Sequence, residues 1–341
     1  MALPDIAILR ADVSERIGHG HISRATAMGR VLARFGVPVE IYCRNFAVNA
    51  QAYSSHLARM PGDIQVISSE EEYCRAITGG SRKCIFIDLL SDRVYEPLIP
   101  CLKRAGQAGN MLVCFDEFFP GRVTFDLIVR PFHEVIVESE NILTGLQYYV
   151  YPDILSSVAT LKKPFAGARN VLISMGGSDP HGVSLPLAKM LAAKYPGLNF
   201  MVVIGPGFSA GAQCALEALS ANHTNLQCTV RPETLNQLYL ATDVAITSAG
   251  LTKFETALFG IPSIILANND QEAQLIGAFC KFGTGIYAGK SEAIELESFA
   301  AGFDDFITDH TSLVQMSSRG RETMDVLGGE RVIEYIRQNT S

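Results

Sequence analysis

The sequence predicts an α/β protein built of two doubly wound, parallel-sheet domains facing a cleft. Short apolar runs alternate with amphipathic stretches along the whole chain, as strands joined by crossover helices do. Many of those runs carry Val, Ile and Phe on both faces, which suits strands covered by helices on each side. The alternation also starts afresh beyond a Pro- and Gly-bearing stretch, in a chain of 341 residues that is long for one core.

Taken in order, Ile6–Leu9, Val39–Tyr42, Gln65–Ser68, Lys83–Ile87, Met111–Phe115 and Asp126–Val129 read as the strands of a first domain. After the first strand, Ile22, Ala25, Met28, Leu32 and Phe35 recur at steps of three and four, which puts them on one helix face. A segment near 152–167, with Pro152, Lys162-Lys163-Pro164 and Gly167, has weak periodicity and reads as the join. Strands then resume at Asn170–Ser174, Asn199–Ile204, Gln227–Val230, Val244–Thr247 and Ser263–Leu266. Helical patterns lie around Ser184–Lys194, Leu235–Ala241, Thr252–Phe259 and Glu272–Phe282. Two more follow at Thr311–Val326 and Glu330–Gln338, broken by Gly328-Gly329. The expected division is 1–155, 165–325 and a C-terminal helix over 326–341.

Composition narrows the function classes. A net charge of -7 argues against a general nucleic-acid binder, which needs a basic field along the phosphates. No apolar run approaches the ~18 residues of a membrane span, and no signal segment is legible, so a cytoplasmic protein is expected. The eight cysteines include no C-x-x-C pair and several sit in apolar runs, so free buried thiols are expected rather than a zinc site or disulfides.

Chemistry-bearing residues cluster at strand ends, where open α/β sheets gather their ligands. The loop after the first strand carries Asp12, Gly18, His19, Gly20, His21 and Arg24. Glycines there let a ligand approach backbone N–H groups, and an imidazole at the helix start can do proton chemistry. Asp12 can orient an imidazole or bind a sugar hydroxyl; Arg24, one turn past His21, can reach a carboxylate or phosphate. Asp88 and Asp116-Glu117 also end strands, as acid/base groups, metal ligands or structural caps. In the second half, Gly176, Gly177, Ser178 and Asp179 form a turn that can expose N–H groups to a phosphate, or one in which Asp179 merely caps a helix. Ser248, Ala249 and Gly250 make a second such turn. Glu255 beyond them can accept two hydroxyl hydrogens of a sugar diol, and Lys253 reads as a surface charge. Asn269, Gln271 and Glu272 offer donors and acceptors for a base edge or sugar hydroxyls, or ordinary cap chemistry.

The pattern R-x-D…I-G-x-G-H-I-x-R near the start resembles the UDP-2,4-diacetamido-2,4,6-trideoxy-β-L-altropyranose hydrolases of pseudaminic acid biosynthesis. Met175-Gly-Gly-Ser-Asp-Pro180, Ser248-Ala-Gly-Leu-Thr-Lys-Phe-Glu255 and Asn269-Asp-Gln-Glu272 are similar to their nucleotide-binding loops, and Gly328-Gly-Glu-Arg-Val-Ile333 to their C-terminal pattern. The resemblance implies a GT-B-like pair of Rossmann-type domains, related to the N-acetylglucosaminyltransferase that makes lipid II. It implies a metal-independent, cofactor-free enzyme in which His21 activates a water against the anomeric carbon, with inversion and loss of UDP. It further implies that the glycine loops and Glu255 hold the nucleotide of the UDP-linked substrate. Gly145 and Tyr148 fit the family's mid-chain pattern, whereas Pro152 and Asp153 replace its Arg and the next residue, and Arg130-Pro131 replaces an Asn. These departures fall where the sugar is recognised and leave a glycosyltransferase acting on an acceptor hydroxyl as the alternative. A nucleotide-sugar-binding protein without turnover is the non-enzymatic reading.

Overall fold

The computed structural model describes residues 3–14, 20–44, 46, 64–79, 82–116, 118–131, 140–151, 155, 164–232 and 234–339. The chain divides into two compact units, 1–153 with 326–341, and 154–325.

The first unit contains strands β1 (Ile6–Ala11), β2 (Val39–Cys43), β3 (Ile64–Val66), β4 (Lys83–Asp88), β5 (Met111–Phe115), β6 (Leu127–Arg130) and β7 (Ile142–Thr144). They pair in parallel in the order β3-β2-β1-β4-β5-β6-β7. Helix α1 (Gly20–Arg34) and the last helix of the chain, α11 (Gly328–Asn339), share one apolar cluster in which Ile22, Met28, Leu32, Val332, Ile333 and Ile336 are buried. Phe35 lies past the end of α1 and is exposed, so the apolar face of that helix is one residue shorter than the periodicity suggests. Helices α2 (Glu70–Thr78) and α3 (Leu98–Gln107) pack with Tyr73, Ile77, Leu98 and Leu102 into a second cluster, with alternate residues Ile8, Ile85 and Ile87 of the strands. Parallel strands buried on both faces show this continuous apolarity.

Cys74 on α2 and Cys101 on α3 form a disulfide, which corrects the expectation of free thiols throughout. The two cysteines are 27 residues apart and meet only because their helices pack side by side, so their spacing carries no signal. Cys43, Cys84 and Cys114 are free and buried in strands.

The second unit holds β8 (Asn170–Ser174), α4 (Ser184–Lys194), β9 (Asn199–Ile204), α5 (Ala210–Ala221), β10 (Leu226–Val230), α6 (Asn236–Ala241), β11 (Val244–Ser248), α7 (Thr252–Leu258), β12 (Ser263–Ala267), α8 (Asp270–Lys281), β13 (Gly285–Lys290), α9 (Leu296–Thr308) and α10 (His310–Thr323). Its sheet is parallel with order β10-β9-β8-β11-β12-β13. Every strand expected from the sequence is present; β7 and β13 are additional. β7 is three residues long, and β13 is an edge strand with two glycines and exposed Ile286 and Tyr287, so neither has a buried-strand pattern. Among the described residues, no helix is long and apolar enough to cross a membrane.

Candidate functional site

In each sheet the chain reverses its direction of winding between the first strand laid down and the fourth, β1 beside β4 and β8 beside β11. The carboxyl ends of strands at such a reversal are the usual ligand position in open α/β sheets. In each unit the chemistry-bearing residues lie at or beyond the carboxyl ends of strands.

In the first unit β4 ends on Asp88, and α1 brings in His21 and Arg24 on its first turns. His21 Nδ1 lies 2.5 Å from Asp88 Oδ1. Arg24 grips the same carboxylate twice, Nε to Oδ2 at 2.7 Å and Nη2 to Oδ1 at 2.5 Å, and reaches Asp116 Oδ2 at 2.7 Å. Asp116 follows β5 with a left-handed φ of 59°, which Asp tolerates better than most side chains. Burial disfavours the charge on Asp88, but the Arg24 guanidinium and His21 outweigh it and hold its carboxyl down at about 2. An ionised carboxylate only accepts, so the His21 nitrogen facing it, Nδ1, is the one that donates, and Nε2 is the ring nitrogen left for other partners. The imidazole is 17% exposed while Arg24 and Asp88 are buried beneath it. The arrangement is an imidazole held by a carboxylate, which is itself fixed by a guanidinium, and such a set can move a proton.

Asp12 does not join this group. Both of its oxygens accept from Arg10, at 2.9 Å each, and Oδ1 also accepts the Arg44 backbone N–H at 2.7 Å. Arg10 continues to Glu70, and Arg44 closes on Glu70 at 2.9 Å. Asp12 is fully buried, so Asp88, not Asp12, orients the imidazole. The sequence shows both aspartates at strand ends; which one lies under His21 is set by the β1–β4 pairing, where Ala11 stands opposite Asp88. Arg24 is buried, with Nε and Nη2 engaged by Asp88 and Asp116, while its buried Nη1 has no hydrogen-bond partner among the described residues. Gly20 opens α1. Gly18, His19 and Glu117 lie outside the described residues. Tyr148 packs on the apolar cluster shared by α1 and α11, and among the described residues no hydrogen bond links it to His21.

In the second unit the three expected loops adjoin. A Cβ on Gly176, whose φ is 80°, would sit 3.2 Å from Ser248 Oγ, so the turns after β8 and β11 touch. His181 Nε2 lies 2.8 Å from the Asn268 carbonyl oxygen and ties the first loop to the third. A fourth loop, unremarked in the sequence, supports them. Gly207 donates its N–H to the Gly177 carbonyl at 2.8 Å, and a Cβ on Gly205 would come within 2.4 Å of that oxygen. Ser178 is half-buried at the turn. Asp179 is spent on capping: its carboxylate accepts the Val183 and Ser184 N–H groups at 3.0 and 2.9 Å at the start of α4. Asn269 and Glu272 likewise form a reciprocal cap on α8, Asn269 Oδ1 accepting Glu272 N–H at 2.8 Å and Glu272 Oε2 accepting Asn268 N–H at 2.7 Å. Gln271 is exposed.

Glu255 is half-buried on α7 and accepts a short hydrogen bond from the Tyr239 hydroxyl. Burial pushes its carboxyl up to about 7 against the opposing effect of that bond. Lys253 is buried rather than a surface charge. Its ammonium donates to the Ala249 and Gly250 carbonyls.

This architecture is GT-B-like: two α/β units, each a parallel sheet wound with helices on both sides. MurG of Acinetobacter baumannii shares it with a TM-score of 0.65 and 16% identity, over 98% of this chain and 99% of that one. Anabaena Alr3699/HepE in complex with UDP-glucose shares it with a TM-score of 0.59 and 13% identity, over 98% of this chain and 100% of that one. No family model matches the sequence. Among curated proteins, the spore coat polysaccharide biosynthesis protein SpsG of Bacillus subtilis is 24% identical over 183 residues, 52% of each chain. Protein MJ1062 of Methanocaldococcus jannaschii is 28% identical over 114 residues, 33% of this chain and 24% of that one. The matched stretches thus span about half or less of these curated relatives' length.

Proposed function

We propose that the protein hydrolyses a UDP-linked amino-deoxy sugar of the pseudaminic-acid type at its anomeric carbon, releasing free sugar and UDP with inversion. The observation that carries this reading is the His21–Asp88–Arg24 arrangement at the carboxyl ends of strands in the first sheet. A water oxygen attacks the anomeric carbon while His21 Nε2 takes the water proton. The bond from that carbon to the diphosphate oxygen breaks, and UDP departs with the electron pair. Asp88 stabilises the imidazolium that forms, as the acid of a catalytic triad does. Backbone N–H groups of the 176–178 and 248–250 turns hold the diphosphate as its charge grows, and Glu255 holds the ribose diol. Asp12 fixes loops of the first unit, and Asp179, Asn269 and Glu272 fix loops of the second; Gly18, Gly20, Tyr148 and Gln271 are assigned to substrate contact by the motif resemblance. The UDP-glucose complex of HepE and the SpsG similarity support a nucleotide sugar as the substrate class.

Purified protein incubated with UDP-sugars and no acceptor tests this. Equimolar free sugar and UDP are expected, and His21→Ala should lose turnover by ~10²–10⁴-fold, the range for a general base, with UDP affinity within a few-fold. Inertness until an acceptor alcohol is added would replace the hydrolase with a glycosyltransferase, the activity named for spinosyn rhamnosyltransferase SpnG, which shares the fold with a TM-score of 0.61.

A further inference from the structure

We infer that Lys253 is a positioning residue whose buried ammonium aims the Gly250 and Leu251 N–H groups at the diphosphate of a nucleotide ligand; this rests on the nucleotide-sugar reading above. Lys253 is 5% exposed, and its Nζ lies 4.4 Å from the centre of the Phe254 ring and 5.7 Å from that of Phe279, both buried. A charge placed there needs a structural return. Its hydrogen bonds supply one: Nζ donates to the Ala249 carbonyl and, at 2.8 Å, to the Gly250 carbonyl.

Those carbonyls belong to the peptide units that carry the next two N–H groups. In a planar trans peptide the C=O of one residue and the N–H of the next point in opposite directions. The ammonium draws the oxygens of Ala249 and Gly250 toward itself, so the N–H groups of Gly250 and Leu251 face away from it. Among the described residues, neither N–H donates to a protein acceptor. Gly250 and Leu251 are half-buried rather than packed into the core. The preceding Ala249 N–H, by contrast, is bound to the Leu266 carbonyl at 2.8 Å, which anchors the turn to β12. Two successive free N–H groups with a cation behind their carbonyls make a preorganised anion contact.

UDP and uridine binding by calorimetry separate this from a general structural role. In Lys253→Met the stem and its packing remain but the two hydrogen bonds are lost. UDP affinity should fall at least ten-fold while uridine affinity stays within two-fold, and Lys253→Arg should restore part of the loss. Leu251→Pro removes one of the two N–H groups directly; Leu251 has φ −72°, which proline accepts. It should show the same selective loss of UDP without touching Lys253, and so decides the matter if Lys253→Met fails to fold. Wild-type protein that binds UDP, with both variants unchanged or with uridine weakened equally, overturns the role of Lys253 alone. Wild-type protein that binds no UDP overturns the nucleotide-sugar reading and this inference with it.

Discussion

Asp12 and Asp88 look alike in the sequence, each at the end of a strand, and their surroundings give them different tasks. Asp12 is locked between Arg10 and the Arg44 backbone with no exposed surface. Removing one partner of a buried ion pair leaves the other uncompensated, at a cost of about 3–5 kcal/mol. Asp12→Ala should therefore lower unfolding free energy by about that amount in a denaturant titration. A variant of unchanged stability with a raised KM would return Asp12 to the substrate. Asp88→Asn retains the shape but can no longer hold the Nδ1–H tautomer as a charged acceptor. Its kcat should fall by about 10²–10⁴-fold, the scale of an orienting acid or a lost general base, with UDP affinity within three-fold. Glu255 titrates near pH 7. Its raised value means that the neutral form stabilises the free fold: that contribution is whole below 4.5 and disappears as pH rises through about 7. A diol needs two acceptor oxygens, which the ionised form provides best, so UDP affinity should climb across pH 7. Glu255→Gln shares the ionisation of the phosphate but lacks this group; equal pH slopes for the two proteins would remove Glu255 from the ribose.

At the scale of elements, what the sequence discloses is the periodic part. The glycine pair Gly176-Gly177 after Ser174 and the single Gly250 after Ser248 both sit in turns that leave the carboxyl ends of strands, β8 and β11. The role of the Gly205–Gly207 loop was hidden because it depends on approach by another loop, the Gly177 carbonyl, which no local pattern encodes. Gly205→Ala should consequently perturb the 176–178 turn. We expect a thermal midpoint lowered by several degrees, as a loss of about 1–3 kcal/mol from overpacking implies, with UDP affinity reduced. A variant as stable and as tight-binding as wild type would show that the turn yields freely. The cap residues explain a different mismatch. Asp179, Asn269 and Glu272 are polar residues in glycine-bearing or strand-end turns, the same signature that ligand contacts leave, and only hydrogen-bond geometry separates the two uses.

Across the whole molecule, two successive β/α series were legible because parallel strands are apolar on both faces. Which unit receives the C-terminal helix was not, since an amphipathic helix fits any apolar face of suitable width. α11 closes the first unit: Val332, Ile333 and Ile336 are fully buried. A Cβ on Gly328 would lie 2.1 Å from the Tyr149 carbonyl oxygen and one on Gly329 2.8 Å from Val31, so the helix enters by close backbone approach. Deleting 326–341 should expose the α1 side of the first sheet. The first unit should then unfold at a lower temperature than the second, resolved as two calorimetric transitions in place of their wild-type pattern. A truncated protein with the wild-type profile would mean that the helix is dispensable. The Cys74–Cys101 disulfide reflects the same limit, since side-by-side helices brought it about and not spacing.

Hydrolysis of the UDP-linked 2,4-diacetamido sugar in ¹⁸O-water, with the released UDP weighed by mass spectrometry and the sugar anomer followed by NMR, bears most directly on water attack at the anomeric carbon. The account predicts unlabelled UDP and an initially inverted sugar, with both signals gone in His21→Ala. Heavy oxygen on the terminal phosphate of UDP, or a first-formed sugar of retained configuration, would contradict it.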